Sequence, residues 1–537
     1  MSIKLSSLLK LSAASAVLIS VGACKASDKG QGALESQSIT ALNLSKTEAS
    51  VFSKYFITPP CEVDELESLG ALAGLGMGES GAQGVSFDSR EVNAGIVTYR
   101  NLTLKEEGSD QTAFSVKSAV FHCPQMGDED PNFSRLDLSD VYIKDEGDDV
   151  EFTADTLNIA NPTPEAARSV VEGMIRPNSN LNGNVGFGAI SITGATFKSP
   201  ELNGSLEALS WGETRNEEGS GHADLTVEAA NFVVTGQNGA EDMTIDFDGM
   251  SARNLHLSQA TNSQIGLPSN EMIANVLGNL NKFEKPYDEL IVETLKINSE
   301  GFSVNFGGIE GQTSEKGKVI TTRQSLKPTV INLKPALGEM PNFQQNYEIL
   351  KSLNMETIKL SGSSVSTLNS GDDSIALSDG LLIVDDVFRL NFEYEAEGLN
   401  EMGTKLRALQ DRQGSSSSLA AYDALKLRGF RLTLEDNSIV DKGLKLATQM
   451  TGQSEANIKR MLSGAVFAVA LAAENEVQAE VYSESVEAFA DFVKNGGTLT
   501  LEANPPAPFP LAPLITGQGE NIDPDSLGFS ASQDHSN

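Results

Sequence analysis

Residues 97–104, with the sequence VTYRNLTL, carry the pattern that decides the fold. Val97, Tyr99, Leu102 and Leu104 place apolar side chains at the first, third, sixth and eighth positions. The same spacing returns along the chain at 114–121, 136–143, 152–159, 190–197, 225–232, 245–252, 290–297 and 425–432. We call this spacing the strand repeat. Its recurrence over most of the chain means that one kind of element builds most of the protein.

The strand repeat fits neither a regular helix nor a straight strand. At about 100° per residue, the four apolar positions spread around a helix and form no stripe. In a straight strand, the first two positions face one side of the sheet and the last two face the other. One extra residue in the middle, a β-bulge, brings all four to one face. A strand buried on both faces, or one that crosses between two packed sheets, remains an alternative.

The residue just before the second half of the repeat supports the bulge. Residues that tolerate positive φ stand there in several copies: Asn101, Asp140, Gly194, Gly249, Gly429 and, in a partial copy at 358–362, Gly362. One class of bulge requires positive φ at this point. The remaining copies carry Ser118, Thr156, Ala229 and Thr294. We therefore predict an α+β, β-rich fold, with a curved and bulged antiparallel sheet or sheets punctuated by short helices.

Changes in composition and periodicity divide the chain. Helical patterns occupy about 164–175, 272–280, 343–353 and 401–409, and helix again dominates after residue 439 until a closing strand at Leu499 and Leu501. The predicted parts are a signal peptide over 1–23, a lipidated tether over 24–47, a β-rich body over 48–438, a helical segment with its closing strand over 439–516, and a disordered acidic tail over 517–537.

The N-terminus has the features of an export signal. Lys4 and Lys10 precede an apolar stretch that is too short to span a bilayer, which takes roughly 20 residues. The stretch ends in Val21-Gly22-Ala23-Cys24, which resembles the lipobox of bacterial lipoproteins. The resemblance implies cleavage before Cys24, acylation of that cysteine, and anchoring in a membrane. Lys25 after the cysteine favours the outer membrane, facing the periplasm. An ordinary signal peptide with a chance cysteine is the alternative.

The remaining cysteines predict a disulfide. The chain has 3 cysteines, so lipidation of Cys24 leaves Cys61 and Cys123. Two cysteines in an exported chain are typical of one disulfide, which at this loop length contributes roughly 4 kcal/mol. Two buried free thiols are the alternative.

Charge and missing motifs exclude several classes of function. The formal net charge of −35 repels nucleic acid, so we predict no nucleic-acid partner. The 4 histidines have no spacing suited to zinc, and no nucleophile elbow is present. The glycines at 76, 78 and 81 match a dinucleotide-binding pattern but lack its strand and helix, and indicate a loop. We therefore predict no catalytic residue, no metal ligand and no cofactor.

The body over residues 90–435 resembles AsmA-like envelope proteins, whose curved sheets are thought to present an apolar groove to lipids. The closing residues 497–501 are similar to the ends of uncharacterised exported bacterial proteins. The resemblance implies a non-enzymatic protein that binds a lipid or another apolar envelope component. We expect Phe197, Phe232, Leu295 and Phe430 to line the groove. The alternative is a scaffold with a closed core that presents its acidic surface to a protein partner.

Overall fold

The structure is a computed structural model that describes residues 52–57, 61, 63–77, 85–105, 112–126, 131–145, 149–175, 187–215, 221–235, 242–257, 285–334, 343–410, 423–461, 487–511 and 524–535. The described residues form two compact units, one comprising those up to 257 together with 289–299, the other 285–288 and those from 300 onward. The predictions of a signal peptide, lipidation of Cys24, a tether, a helix at 272–280 and the glycine loop at 78–81 lie outside the described residues.

The first unit is built on an antiparallel sheet in which successive long strands pair. Its strands are β1 (Val85–Ser86), β2 (Ser89–Asn93), β3 (Ile96–Lys105), β4 (Thr112–His122), β7 (Arg135–Asp145), β8 (Val150–Pro162), β9 (Phe187–Lys198), β10 (Leu202–Arg215), β11 (Gly221–Val234), β12 (Met243–Leu257), β13 (Glu289–Val292) and β14 (Leu295–Asn298). Strands β1 and β2 pair with β3, and β13 and β14 with β12. A separate pair, β5 (Gln125–Met126) and β6 (Pro131–Asn132), and helices α1 (Glu65–Gly74) and α2 (Pro164–Ile175) also belong to the unit.

The copies of the strand repeat lie side by side in register. The first apolar row runs across the sheet through Val97, Phe121, Leu136, Ile159, Ile190, Trp211, Leu225, Ala252 and Leu290. The fourth apolar row runs through Leu104, Phe114, Ile143, Phe152, Phe197, Gly204, Phe232, Ile245 and Ile297. Two further rows, the second and third, lie between them. All four positions of β3 belong to one buried cluster, so the four rows share one face of the sheet.

The predicted bulges are confirmed in alternate strands of this unit. Asn101 in β3, Asp140 in β7 and Gly194 in β9 have φ of 50°, 51° and 58°. These middle residues lie level with one another, and Lys117 of β4 places its Nζ 3.2 Å from the Oδ2 of Asp140. Because every strand carries its extra residue at the same level, the change of phase leaves the pairing along β3, β4, β7, β8 and β9 in register.

The prediction of positive φ is wrong at Gly362 and Gly429. In the strand that contains Gly429, a register shift makes Arg428 the extra residue, so the glycine needs no unusual conformation. Gly362 is required for a close approach instead, because a Cβ there would lie 2.6 Å from the carbonyl oxygen of Leu381. Gly249, with φ of 158°, is close to extended chain.

Helices α1 and α2 close the core over strands β3 to β8. Leu72 of α1 and Val171 of α2 are fully buried against the apolar rows. The Tyr99 hydroxyl, also buried, donates a hydrogen bond of 2.9 Å to the carbonyl oxygen of Met77 just after α1. Helix α2 begins where the sequence predicts, with the Thr163 hydroxyl accepting a 3.2 Å hydrogen bond from the amide of Ala166.

The second unit is also built on antiparallel pairs of successive strands. Its strands are β15 (Phe302–Phe306), β16 (Ile309–Lys316), β17 (Val319–Leu333), β18 (Thr357–Asn369), β19 (Ser374–Val384), β20 (Phe388–Glu397), β21 (Lys426–Asp436), β22 (Thr498–Ala503), β23 (Phe509–Pro510) and β24 (Phe529–Asp534). Its helices include α3 (Phe343–Ser352), α4 (Leu399–Gln410), α5 (Ile439–Thr451) and α6 (Pro524–Leu527), and residues 455–461 and 487–495 are also helical. The predicted α+β, β-rich class with curved antiparallel strands is confirmed.

The end of the chain differs from the predicted disordered tail. Residues 529–534 form β24, which pairs with β22 along its whole length. Ala531 packs against a small core that contains Phe492 and Leu499. The prediction of a disordered tail is therefore wrong at these residues. Most side chains of residues 529–534 are small or polar, so the sequence shows no clear alternation of inward and outward positions, which is the mark of a strand.

Replacing Gly194 by alanine should destabilise the first unit by about 1–2 kcal/mol, the usual cost of a left-handed conformation with a Cβ. Gly194 has φ of 58°, and a Cβ there would also collide with the Asp155 carboxylate. Gly70 in α1 is the matched control, because a Cβ there meets no neighbouring atom. Gly70→Ala should leave stability unchanged or raise it by up to about 1 kcal/mol. Urea unfolding measures both, and a Gly194→Ala midpoint equal to wild type would contradict the bulge.

Candidate functional site

The apolar face of the first unit is covered unevenly. From β3 to β8, the side chains of the strand repeat are buried, except for the partly exposed Ile143 and Leu157. From β9 to β14, partly exposed side chains predominate: Ile190, Ile192, Phe197, Leu206, Leu209, Trp211, Leu225, Phe232, Ile245, Leu290, Leu295 and Ile297. We call the repeat positions of β9 to β14 the apolar platform. None of these positions carries a charged side chain.

The structure brings together three of the four predicted lining residues. Phe197 and Phe232 lie in the fourth apolar row on either side of Gly204. A Cβ on Gly204 would collide with the Phe232 ring, so the ring occupies the space that a side chain would take. Leu295 lies in the third row, opposite Phe247. These residues form a continuous apolar surface on one face of β9 to β14.

The fourth predicted lining residue, Phe430, is in a different unit from the other three. Phe430 lies in the second unit, between Tyr394 of β20 and Ala503 of β22. It lines a cavity of about 40 Å³ there, and burial raises the pKa of the neighbouring Tyr394 hydroxyl. The strand repeat identifies a kind of strand without saying which unit the strand joins, so the inclusion of Phe430 in the lining set stays a prediction.

Sequence reasoning missed Trp211, the single tryptophan of the chain. It stands in the first apolar row on β10, partly exposed, and its indole nitrogen donates a 3.3 Å hydrogen bond to Glu213. The copy of the repeat at 204–211 is incomplete, because glycine occupies its first position. Its other apolar positions, Leu206 and Leu209, were the signal that could have revealed it.

The opposite face of the same strands holds a short N-terminal segment, residues 52–56. Asp224 alternates with Leu225 and therefore faces away from the apolar rows. It is 6% exposed and accepts hydrogen bonds from Lys54 Nζ (2.9 Å), the Tyr55 hydroxyl (2.9 Å) and the Asn254 amide (2.8 Å). Burial raises the pKa of Asp224, but these donors outweigh it and hold the pKa below its ordinary value. A Cβ on Gly212 would collide with the Tyr55 ring, so glycine makes room for the segment.

A second charged group fixes the same segment. Asp137 accepts from Arg135 Nε at 2.7 Å and lies 2.9 Å from His122 Nε2. Burial raises the pKa of the Asp137 carboxyl, while His122 and Arg135 lower it further than burial raises it. Arg135 also donates a 3.1 Å hydrogen bond to the carbonyl oxygen of Phe56. These contacts fix residues 52–56 against the sheet, so the charged groups here stabilise the structure.

The two predicted disulfide cysteines lie together in the first unit. The Cα atoms of Cys61 and Cys123 are 5.6 Å apart, within the range of disulfides. Cys123 directly follows β4, so a bond there ties the N-terminal chain to the sheet.

The described residues contain neither a helix suited to crossing a membrane nor a grouped set of metal ligands. No helix among them is both long and apolar enough to cross a membrane. Within the same parts of the chain, no three or more histidine, cysteine, aspartate or glutamate side chains are grouped so that they could hold a metal ion.

Comparison with known proteins assigns no activity. A family model described as "Uncharacterized protein" matches residues 382–534. These residues run from within β19 to the end of β24, so the match concerns the second unit. No curated protein matches the chain.

Proposed function

We propose that this protein is a non-enzymatic lipoprotein of the cell envelope that binds acyl chains of a lipid on the apolar platform. The lipid on Cys24 would hold it on a membrane, and Lys25 favours the outer membrane, facing the periplasm. The observation that supports the proposal is the contrast between the two halves of one apolar surface. Strands β3 to β8 carry their rows under α1 and α2, whereas the continuation of the same rows over β9 to β14 stays partly exposed.

The dimensions of the platform suit one or more extended acyl chains. At roughly 4.8 Å between strands, its rows extend roughly 20 Å. The acyl layer of one bilayer leaflet is about 15 Å thick, half of the hydrocarbon core. Contact with the platform would contribute roughly 25 cal/mol per Å² of apolar area, reduced by the cost of immobilising the ligand. An apolar surface without charges favours such a chain over a charged polymer.

Trp211 provides a direct test of acyl-chain binding. Because it is the only tryptophan and lies in the platform, its emission reports on this surface alone. We expect lysophosphatidylcholine with a brominated acyl chain to quench it in a saturable manner, and the unbrominated lipid to shift its emission to the blue. Phe232→Gln should weaken binding roughly tenfold, since burying a polar amide against the chain costs about 1–2 kcal/mol.

Thr196→Gln is the matched control for this titration. Thr196 is the neighbour of Phe197 in β9 but faces the other side of the sheet, where its hydroxyl lies 2.7 Å from that of Thr153. We expect wild-type affinity from this variant. Quenching that does not saturate, or that is equal in Phe232→Gln, would exclude the platform as the binding site.

Removal of the proposed anchor should abolish membrane attachment without changing lipid binding by the platform. Cys24→Ser should release the protein from membranes while leaving the brominated-lipid titration unchanged, because two or more acyl chains are needed for stable anchoring. Membrane fractionation with metabolic acyl labelling measures the first effect. A Cys24→Ser protein that still sediments with membranes, together with an unlabelled wild type, would contradict the lipoprotein assignment.

The alternative is a scaffold that presents an acidic surface to a protein partner. The net charge of −35 and the closed core under α1 and α2 favour it. In that case the platform serves only packing, and no lipid would accompany the purified protein in native mass spectrometry.

A further inference from the structure

Two of the four histidines of the chain meet on neighbouring strands. His222 of β11 and His256 of β12 are directly opposite each other in the antiparallel pairing. Their ring centres are 5.4 Å apart, and the ring planes meet at 69°. Both side chains are partly exposed, but the Nδ1 of His222 is buried, so an ion from solvent would have to bind His222 through Nε2.

A bulge creates this juxtaposition. The repeats of β11 and β12 pair Leu225 with Ala252, and continuation of that register would place His222 opposite residue 255. The register shifts between Ala223 and Leu225, where Asn254 adopts φ of 52° and its amide donates to Asp224. The one-residue shift brings His256 opposite His222. The two histidines are 34 residues apart, which matches no metal-binding motif, so the sequence alone does not indicate that they meet.

The ring separation matches that of two imidazoles on one metal ion. With metal–nitrogen bonds of about 2.0–2.1 Å, two imidazoles that share a metal at a tetrahedral or square angle have ring centres roughly 5 Å apart. Directly opposite residues of an antiparallel pair have Cβ atoms about 4.5–5.5 Å apart, so small side-chain rotations suffice. Imidazole nitrogen is a preferred ligand of copper, nickel and zinc, whereas calcium and magnesium prefer oxygen.

We propose that His222 and His256 form a two-imidazole site for a late first-row divalent cation, with water completing the coordination. The Irving–Williams order ranks Cu²⁺ above Ni²⁺ and Zn²⁺ at such a site. The inference is independent of lipid binding, because it rests on the histidine pair alone.

Copper titration of the full mature chain tests the proposal. Isothermal titration calorimetry should show Cu²⁺ binding that saturates at one equivalent, with excess Mg²⁺ present to occupy surface carboxylates. His222→Asn and His256→Asn should each weaken binding at least tenfold, whereas His535→Asn should bind as wild type does.

Electron paramagnetic resonance of the Cu²⁺-loaded wild type gives a second readout that needs no variant. Hyperfine structure from two imidazole nitrogens supports the site, and a signal from one or none overturns it. Equal copper affinity in wild type and in folded His222→Asn or His256→Asn would overturn it as well. Circular dichroism establishes that each variant keeps the wild-type fold.

Discussion

Phe121→Ala should destabilise the first unit by about 3–5 kcal/mol, the usual cost of deleting a fully buried aromatic ring. Phe121 is 0% exposed and lies in the first apolar row beneath α1 and α2. Its ring makes edge-to-face contacts with Tyr99 and Phe133, at centre distances of 6.1 and 5.5 Å. The truncation removes these contacts and leaves a cavity that the surrounding sheet cannot close. Urea unfolding followed by circular dichroism measures the loss.

Phe232→Ala is the matched control, because it removes the same side chain from the same repeat on the apolar platform. Phe232 is partly exposed, so we expect a loss of about 1–2 kcal/mol. The difference between the two variants tests the platform directly. Equal losses would mean that the platform is as closed as the rest of the core, and would favour the scaffold over the lipid-binding protein.

Asp224→Asn should destabilise the first unit by about 2–4 kcal/mol, because three donors converge on one buried carboxylate. An amide offers one acceptor oxygen where the carboxylate offers two, so some of these donors lose their acceptor. Lys54 is 56% exposed and regains water, so most of the cost comes from the Tyr55 hydroxyl and the Asn254 amide. The variant should also expose residues 52–56 to limited proteolysis. Asp140→Asn is the control, since its ion pair with Lys117 is exposed and contributes little.

The effect of Asp224→Asn should depend on pH. The pKa of Asp224 is lowered in the folded protein, so its contribution is fully present above the unfolded pKa of about 3.9 and is lost as pH falls through the folded pKa. The stability difference between wild type and Asp224→Asn should therefore be constant near neutral pH and shrink in acid. A difference that does not shrink as the pH is lowered below the unfolded pKa would show that the carboxylate charge is not its source.

The spacing of apolar residues determined much of the fold in advance. Four apolar positions with asparagine, aspartate or glycine between the halves predicted both the shared face and the left-handed residues at Asn101, Asp140 and Gly194. Such information is local, because side-chain alternation and tolerance of positive φ depend on neighbouring residues alone.

Features that depend on long-range pairing could not be predicted from the sequence. Nothing local to Phe430 indicates that it joins another unit than Phe197, and nothing local to His222 indicates that His256 is its neighbour. Both facts depend on which strands pair and in what register. The platform was anticipated only in part, since its exposure depends on where α1 and α2 pack.

The level alignment of the middle residues has a consequence for how such a sheet can change in size. Left-handed residues occur in β3, β7 and β9, that is, in every second strand of the series β3, β4, β7, β8, β9. The repeating unit of the architecture is thus a two-stranded hairpin. Adding or removing a whole hairpin keeps every remaining strand in phase. Adding or removing a single strand reverses the direction of all strands that follow. A one-residue deletion moves the side chains of half a strand to the other face of the sheet. Homologous chains should therefore differ in length by hairpins, and the extent of the apolar surface should grow in the same increments.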